Sequence, residues 1–430
     1  MEYLSQVLFA MVLGVAVYFF VRNISRIRRN IFLGRDWELQ GTPAMRWGNM
    51  FRVALGQSKM VTRPVAGFFH ILIYVGFILI NIEVLEIMID GLFGTHRVFA
   101  FMGGLYDLAI GFFEILALLV LIACVVFLFR RYILKLGRFN HRDLNGFPNK
   151  DAAIILCVEI ILMSALLLMN AADQKLQAFG NTHYTQAGTY PVSQFLISIY
   201  DSAGEGTLIL IERLMWWAHI IGILLFLNYL PFSKHFHIIL AFPNTYYSRF
   251  EPKGEFTNPE NVTNEVKLAF FPEETIDETK ELPKTFGVKD IQDLSWKNLL
   301  DAYTCTECGR CTSVCPANIT GKLLSPRKIM MSTRDRLEEV GKNLDTKSTD
   351  EKTLHHYISP EELWACTSCN ACVEACPIDI NPLEIIIDMR RYLVMEQSAA
   401  PQELNLMLSN IENNGAPWQY PQSERLGWVE

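Results

Sequence analysis

The sequence predicts an all-α protein: a five-helix transmembrane bundle followed by a cytoplasmic α-helical domain. Three observations predict it. Nearly all long apolar runs fall in the first 240 of 430 residues. Lysine and arginine are concentrated in alternate loops between those runs. Eight of the ten cysteines sit in two copies of one spacing in the polar remainder.

Apolar runs near 4–22, 65–90, 104–129, 152–171 and 207–231 each reach the roughly 20 residues that cross a bilayer. Five crossings place the two ends on opposite sides. The segment 22–63 carries nine Lys and Arg residues and the loop 130–150 carries six, whereas the other two loops hold only Arg97 and Lys175. Basic loops stay inside, so the N-terminus is expected outside and residues 244–430 in the cytoplasm of a bacterial inner membrane. No cleavable signal is expected, because no basic segment precedes the first run and no small-residue cleavage site follows it. The formal charge of −7 argues against a nucleic-acid partner. Cys124 and Cys157 lie within apolar runs and read as small buried side chains.

Domain 1–240 is thus the membrane bundle. Residues 241–290, rich in Pro, Asn, Lys and Glu, read as an extended linker. Within 291–398, Leu294, Trp296, Leu299 and Leu300 predict a helix leading into the first cysteine run. Ser325-Pro326 opens a second helix through Lys342, and Pro382 opens a third over 381–397. The 317–365 interval is too long for a compact βαββαβ domain. The tail, 399–430, has Trp418, Tyr420 and Trp428 but no core, which reads as a partner-docking segment.

Each cysteine copy reads C-x-x-C-x-x-C-x-x-x-C-P. In two-cluster ferredoxins with this run the fourth cysteine ligates the other cluster. One [4Fe–4S] cluster is therefore expected on Cys305, Cys308, Cys311 and Cys376, and the other on Cys366, Cys369, Cys372 and Cys315. Zinc ribbons and disulfides are disfavoured by two full repeats in identical register. Thiolates that hold iron also call for a reducing compartment, in agreement with the loop charges.

Four histidines stand where haem b could use them: His70 in span two, His219 in span five, and His235 and His237 just beyond it. On one continuous helix His219 and His237 would share a face, about 27 Å apart. His70 is closest in depth to His235 and His237. For His219 three arrangements are open: pairing with His70 in a tilted site, pairing with His96, or lining a quinone pocket. A hydrogen-bonded interior role is the ordinary alternative for each, and His141, His183, His355 and His356 read as loop residues. Glu83, Glu86, Glu114, Glu159 and Glu212, in or near the apolar zone, are candidates for proton transfer to a quinone.

Asp301-Ala-Tyr-Thr-Cys-Thr-Glu-Cys-Gly-Arg-Cys311, Cys315-Pro316-Ala317 and Leu363-Trp-Ala-Cys-Thr-Ser-Cys-Asn-Ala-Cys372 resemble the small iron–sulfur subunit of heterodisulfide reductases and glycerol-3-phosphate dehydrogenase anchor subunits. The resemblance implies an α-helical ferredoxin domain with two [4Fe–4S] clusters. The five-span half is similar to the haem-b-binding gamma subunit of respiratory nitrate reductase. There, two span-two histidines pair with two span-five histidines, and His70, His237 and His219 match three of those positions. Position 80, the fourth, is isoleucine, which leaves the haem count at one or two. With Lys59 to His70, Trp216 to His219 and Pro231 to His237, the whole resembles membrane iron–sulfur oxidoreductases that include electron-transfer-flavoprotein dehydrogenases feeding menaquinone.

That resemblance implies a quinone-linked oxidoreductase component, carrying electrons between a cytoplasmic partner and menaquinone through two [4Fe–4S] clusters and haem b. The implied partners are electron-transfer flavoprotein or a separate cysteine-rich iron–sulfur subunit, with the membrane and its quinone. The alternative class is a non-enzymatic membrane anchor or redox-sensing iron–sulfur protein without quinone turnover.

Overall fold

Helices that are apolar around their whole circumference need an apolar surrounding, and five such helices organise the first half. The computed structural model describes residues 3–180, 183–252, 254–273 and 285–429. Its first six helices are α1 (Leu4–Ile31), α2 (Pro43–Met50), α3 (Pro64–Phe93), α4 (Gly104–Tyr132), α5 (Phe147–Ala178) and α6 (Glu205–Tyr229). All but the short α2 are long and apolar enough to cross a membrane. In order, α1, α3, α4, α5 and α6 each pack on the next, and α6 returns to α1, which closes a five-helix ring.

Buried polar side chains fasten the α3–α4 and α5–α6 loops to this ring. Arg97 donates to Asp173 at 2.7 Å, Asn170 at 3.0 Å and Tyr106 at 3.1 Å. Glu86 accepts from Tyr106 at 2.8 Å and the Phe99 amide at 2.9 Å. Glu114 accepts from the Val192 and Ser193 amides at 3.0 and 3.1 Å. Glu212 pairs with Arg213 and Tyr184. Removing such acceptors would strand buried donors, so Glu86, Glu114 and Glu212 hold loops in place.

The first departure from the sequence reading is at the end of the fifth span. α6 stops at Tyr229, because Pro231 has no amide hydrogen to extend the ladder. The Ser233 hydroxyl then accepts from the His235 amide at 3.1 Å and opens a new turn. α7 (His237–Tyr246) begins there. His219 and His237 therefore lie on different helices, not on one face of a continuous one.

The expected extended linker is also corrected. α7 buries Leu240, Ala241, Asn244 and Thr245, packing on α2 and on α9 (Trp296–Thr304), and α8 spans Glu260–Phe270. Ten residues with Pro243 inside and a buried Asn244 give little helical period to read. Asn244 is satisfied on both sides, donating to the Ile378 carbonyl at 2.9 Å and accepting from Lys297 at 3.0 Å. Positions 253 and 274–284 of that stretch lie outside the described residues.

The second half is helical as expected: α10 (Arg310–Val314), α11 (Pro316–Ile319), α12 (Pro326–Thr346), α13 (Pro360–Trp364), α14 (Ala371–Ala375), α15 (Pro382–Met395) and α16 (Gln402–Asn414) follow α9. Among the described residues the β-structure is one isolated bridge, Arg35 to Ser295. Local chemistry sets the starts. Ser295 and Ser359 form reciprocal capping boxes with Asn298 and Glu362, and Ser325 and Asn381 cap α12 and α15 ahead of prolines at the first turn.

This domain sits on the end of the bundle that bears the basic loops. Arg327, fully buried, pairs with Asp143 of the α4–α5 loop at 2.5 Å and bonds the Arg138 carbonyl at 2.8 Å. Lys59 reaches Asp379 at 2.6 Å. Asn30 of α1 donates to the Tyr303 hydroxyl at 3.0 Å and lies flat against Gly341, where any side chain would collide with it. Beyond α15, α16 buries no side chain, and Trp418, Tyr420 and Trp428 are exposed.

Candidate functional site

Both cysteine runs adopt one backbone form. Glu307 and Ser368, third in each run, have φ of 55° and 56°, and Gly309 and Asn370, fifth, have φ of 71° and 59°. Glycine and asparagine tolerate this left-handed region better than other residues. The turn at Ser368 points its N–H at Cys366 Sγ, 3.4 Å away, and beyond the second run Ile380 N–H reaches Cys376 Sγ at 3.3 Å. Each run continues into a short helix, α10 or α14, which pack on each other and bring the two Cys-Pro ends across.

As a result Cys305, Cys308, Cys311 and Cys376 border one space, and Cys315, Cys366, Cys369 and Cys372 border a second, with Cys372 touching both. None is in a disulfide. Among the described residues no three His, Cys, Asp or Glu converge tightly enough for a single ion, whereas a four-iron cluster needs ligands spread around it. Burial pushes the Cys305 and Cys372 thiols up to about 12. Thiolates there need positive charge supplied with them, and iron does that. The donor set fits a cluster at each space. Cys369 is exposed, while Cys305, Cys315, Cys372 and Cys376 are buried.

The site includes charged residues that the sequence reading did not single out, although they stand inside the motifs. Glu307 is bonded to Lys234 at 2.5 Å and Arg334 at 2.7 Å, with its own side chain 3% exposed. Burial alone would raise its pKa, but the two cations outweigh burial and hold it below the usual carboxylate range. This contribution to stability is therefore present above the carboxylate range and is lost as pH falls through the depressed pKa. Glu307→Gln is expected to cost about 3 kcal/mol, because the partly buried Arg334 loses its carboxylate and Lys234 loses the nearer of its two. Thermal bleaching of the cysteine-bound chromophores reads this, and an unchanged midpoint would refute it.

Residues 297–377 match the family of 4Fe–4S dicluster domains, and 365–390 match that of 4Fe–4S binding domains. This chain carries a 4Fe–4S dicluster domain. It is also related to iron–sulfur oxidoreductases. Over 461 residues it is 29% identical to the probable iron–sulfur-binding oxidoreductase FadF of Bacillus subtilis, covering 99% of this chain and 60% of that protein. Over 416 residues it is 27% identical to the EtfAB:quinone oxidoreductase of Syntrophomonas wolfei, covering 90% and 54%. The chain thus spans little more than half the length of these relatives. Over 160 residues it is 31% identical to a probable membrane-anchored ferredoxin of Chromohalobacter salexigens, covering 33% of this chain and 24% of that protein. No solved structure matches.

Beside the dicluster domain, His70 of α3 and His237 of α7 face each other with ring centres 6.5 Å apart and planes tilted by 39°. Two imidazoles on opposite sides of one metal, each with a bond of about 2 Å, hold their ring centres roughly 6 Å apart. His237 Nδ1 lies 3.0 Å from the Lys234 carbonyl, so donating there leaves Nε2 free to ligate. This pair fits an axial-ligand role. His235 adjoins His237 at 5.5 Å between ring centres.

His219 has the same preset: Nδ1 lies 3.0 Å from the Leu162 carbonyl, and the buried Nε2 has no partner among the described residues. Among those residues no ring contact joins it to His70 or His96. His96 instead meets Asp173 at 3.4 Å and packs near His183 and Tyr184.

Proposed function

We propose that this chain is the electron-transfer subunit of a membrane oxidoreductase that links a cytoplasmic redox partner to menaquinone. Cys305, Cys308, Cys311 and Cys376 hold one [4Fe–4S] cluster and Cys366, Cys369, Cys372 and Cys315 the other, while His70 and His237 hold a haem b. When bound, these groups supply one-electron carriers in a series from the cytoplasm into the membrane.

The observation that carries the reading is the position of the His70–His237 pair against the Cys305 set. Arg310, between Cys308 and Cys311, bonds the loop that leads into α3 and lies within electrostatic reach of His70, Cys308 and Cys376. The Cys366 set lies farther along, and its exposed Cys369 marks the entry side for a partner. The basic loops that contact the dicluster domain favour a cytoplasmic position for this side. In this role the chain's residues position and insulate, and none acts as a nucleophile. His219, with its unpartnered Nε2 in the membrane half, is a second axial ligand or a quinone contact. The quinone named for the Syntrophomonas relative is the acceptor class, electron-transfer flavoprotein is the favoured donor, and the exposed aromatic tail is a seat for a cysteine-rich iron–sulfur subunit.

Purified protein is expected to contain about eight irons per chain beyond haem, a b-type visible spectrum, and menaquinol oxidation or menaquinone reduction when a one-electron mediator is supplied. Cluster iron without b-type absorption would overturn the quinone relay.

A further inference from the structure

Arg310 is almost wholly buried, at 4% exposure, yet among the described residues its hydrogen bonds go only to uncharged groups. Nη1 donates to the Lys59 carbonyl at 2.8 Å and Thr62 Oγ1 at 3.2 Å, and Nη2 donates to the Met60 carbonyl at 3.1 Å and approaches Met60 Sδ at 2.9 Å. Some neighbouring cations have carboxylate partners, whereas Arg63 and Arg138, like Arg310, form no ion pair among the described residues. Lys234 pairs with Glu307 and Asp151, Arg334 shares Glu307, Lys59 pairs with Asp379 and Arg327 with Asp143. Arg310 therefore presents an uncompensated charge beside the Cys305 set, whose space it lines.

The loop it grips is also the support of His70. Residues 59–62 pass beneath the first turn of α3 at Gly67, where a Cβ would stand 2.8 Å from the Met60 carbonyl and 3.1 Å from Val61 Cα. Gly67 and His70 are three residues apart and share a helix face. Arg63, which precedes α3, adds a 2.7 Å bond to Ser313 of α10. Charge on one side chain thus meets both halves of the path, cysteine set and imidazole pair, through a few bonds. The Cys366 set has its own arginine: Arg390 lies over Trp364 and donates to the Leu363 carbonyl at 2.9 Å.

We propose that Arg310 is a shared positioning and charge-setting residue, which raises the reduction potentials of both the Cys305-set cluster and the His70–His237 haem and fixes the loop between them. This deepens the proposed function and rests on it. A buried cation favours the more negative, reduced form of a nearby centre, and its effect on the Cys366-set cluster is smaller because Arg310 lines the space of the Cys305 set and not that of the Cys366 set.

The test is redox titration of the full chain in detergent, reading the two clusters by electron paramagnetic resonance and the haem by visible absorption. In Arg310→Gln the Cys305-set cluster and the haem are each expected to become about tenfold harder to reduce, which is ~59 mV for one electron, with the Cys366-set cluster moved less. Arg310→Lys is expected to keep the wild-type potentials. Unchanged potentials in Arg310→Gln, or an equal shift in both clusters, would overturn the proposal. If Arg310→Gln does not retain its cofactors, Arg310→Lys decides: wild-type potentials support the charge role and a tenfold fall refutes it. A wild-type protein without haem would sink the relay reading instead, and the cluster potential would still report on Arg310.

Discussion

Cys315→Ser is expected to remove the cluster whose other ligands are Cys366, Cys369 and Cys372, while the cluster on Cys305, Cys308 and Cys311 survives. The fourth cysteine of the first run lies across the α10–α14 contact, where it borders the second space together with Cys366, Cys369 and Cys372. Iron is expected to fall from about eight to about four per chain beyond haem. Cys376→Ser is expected to do the reverse, although Cys376 lies in the second run. The two substitutions are read by iron analysis and by the resonance of the remaining cluster. Loss of the Cys305-set cluster in Cys315→Ser would refute crossed ligation. A general collapse of the domain is the trivial outcome to separate, and far-ultraviolet circular dichroism separates it, because crossed ligation predicts retained helix in both variants.

The second large effect is expected at the imidazole pair. His237→Ala removes a ring 6.5 Å from His70 and leaves His70 without an opposing ligand. Loss of an outer-shell partner already costs a metal site roughly 10- to 100-fold, so loss of a ligand is expected to exceed that. His237→Ala and His70→Ala should abolish b-type absorption and quinone turnover together, with cluster iron unchanged. His235→Ala is the control. Its ring touches His237 rather than opposing His70, so b-type absorption should persist. A full b-type spectrum in His237→Ala would end the assignment of this pair.

Much of the fold is legible in the sequence because the governing physics is local. Five spans follow from length and apolarity, and the identical φ pattern of the two cysteine runs follows from identical spacing with glycine or asparagine at the fifth place. Ser295, Ser325, Ser359 and Asn381 announce their helices. The end of α6 is signalled locally too, by Pro231 and Ser233. What is not legible depends on partners distant in the chain. α7 is hidden because Asn244 looks polar until the Ile378 carbonyl and Lys297 satisfy it. Glu86 and Glu114 look like proton carriers until the loop amides they accept from are located. Glu307 and Arg310 stand in plain view inside the cysteine motif, but a charge between cysteines has no meaning before Lys234, Arg334 and the Met60 loop are placed around it.

The tie between Asn30 and Tyr303 joins residues 273 positions apart. Synthesis runs at about 5–20 residues per second, so the C-terminal end of α1 is made tens of seconds before Tyr303. Throughout that interval Asn30 has no Tyr303 to meet, and Arg29, which donates to the Gly341 carbonyl at 2.9 Å and pairs with Asp345, has neither partner. The last-made domain therefore completes the first-made helix.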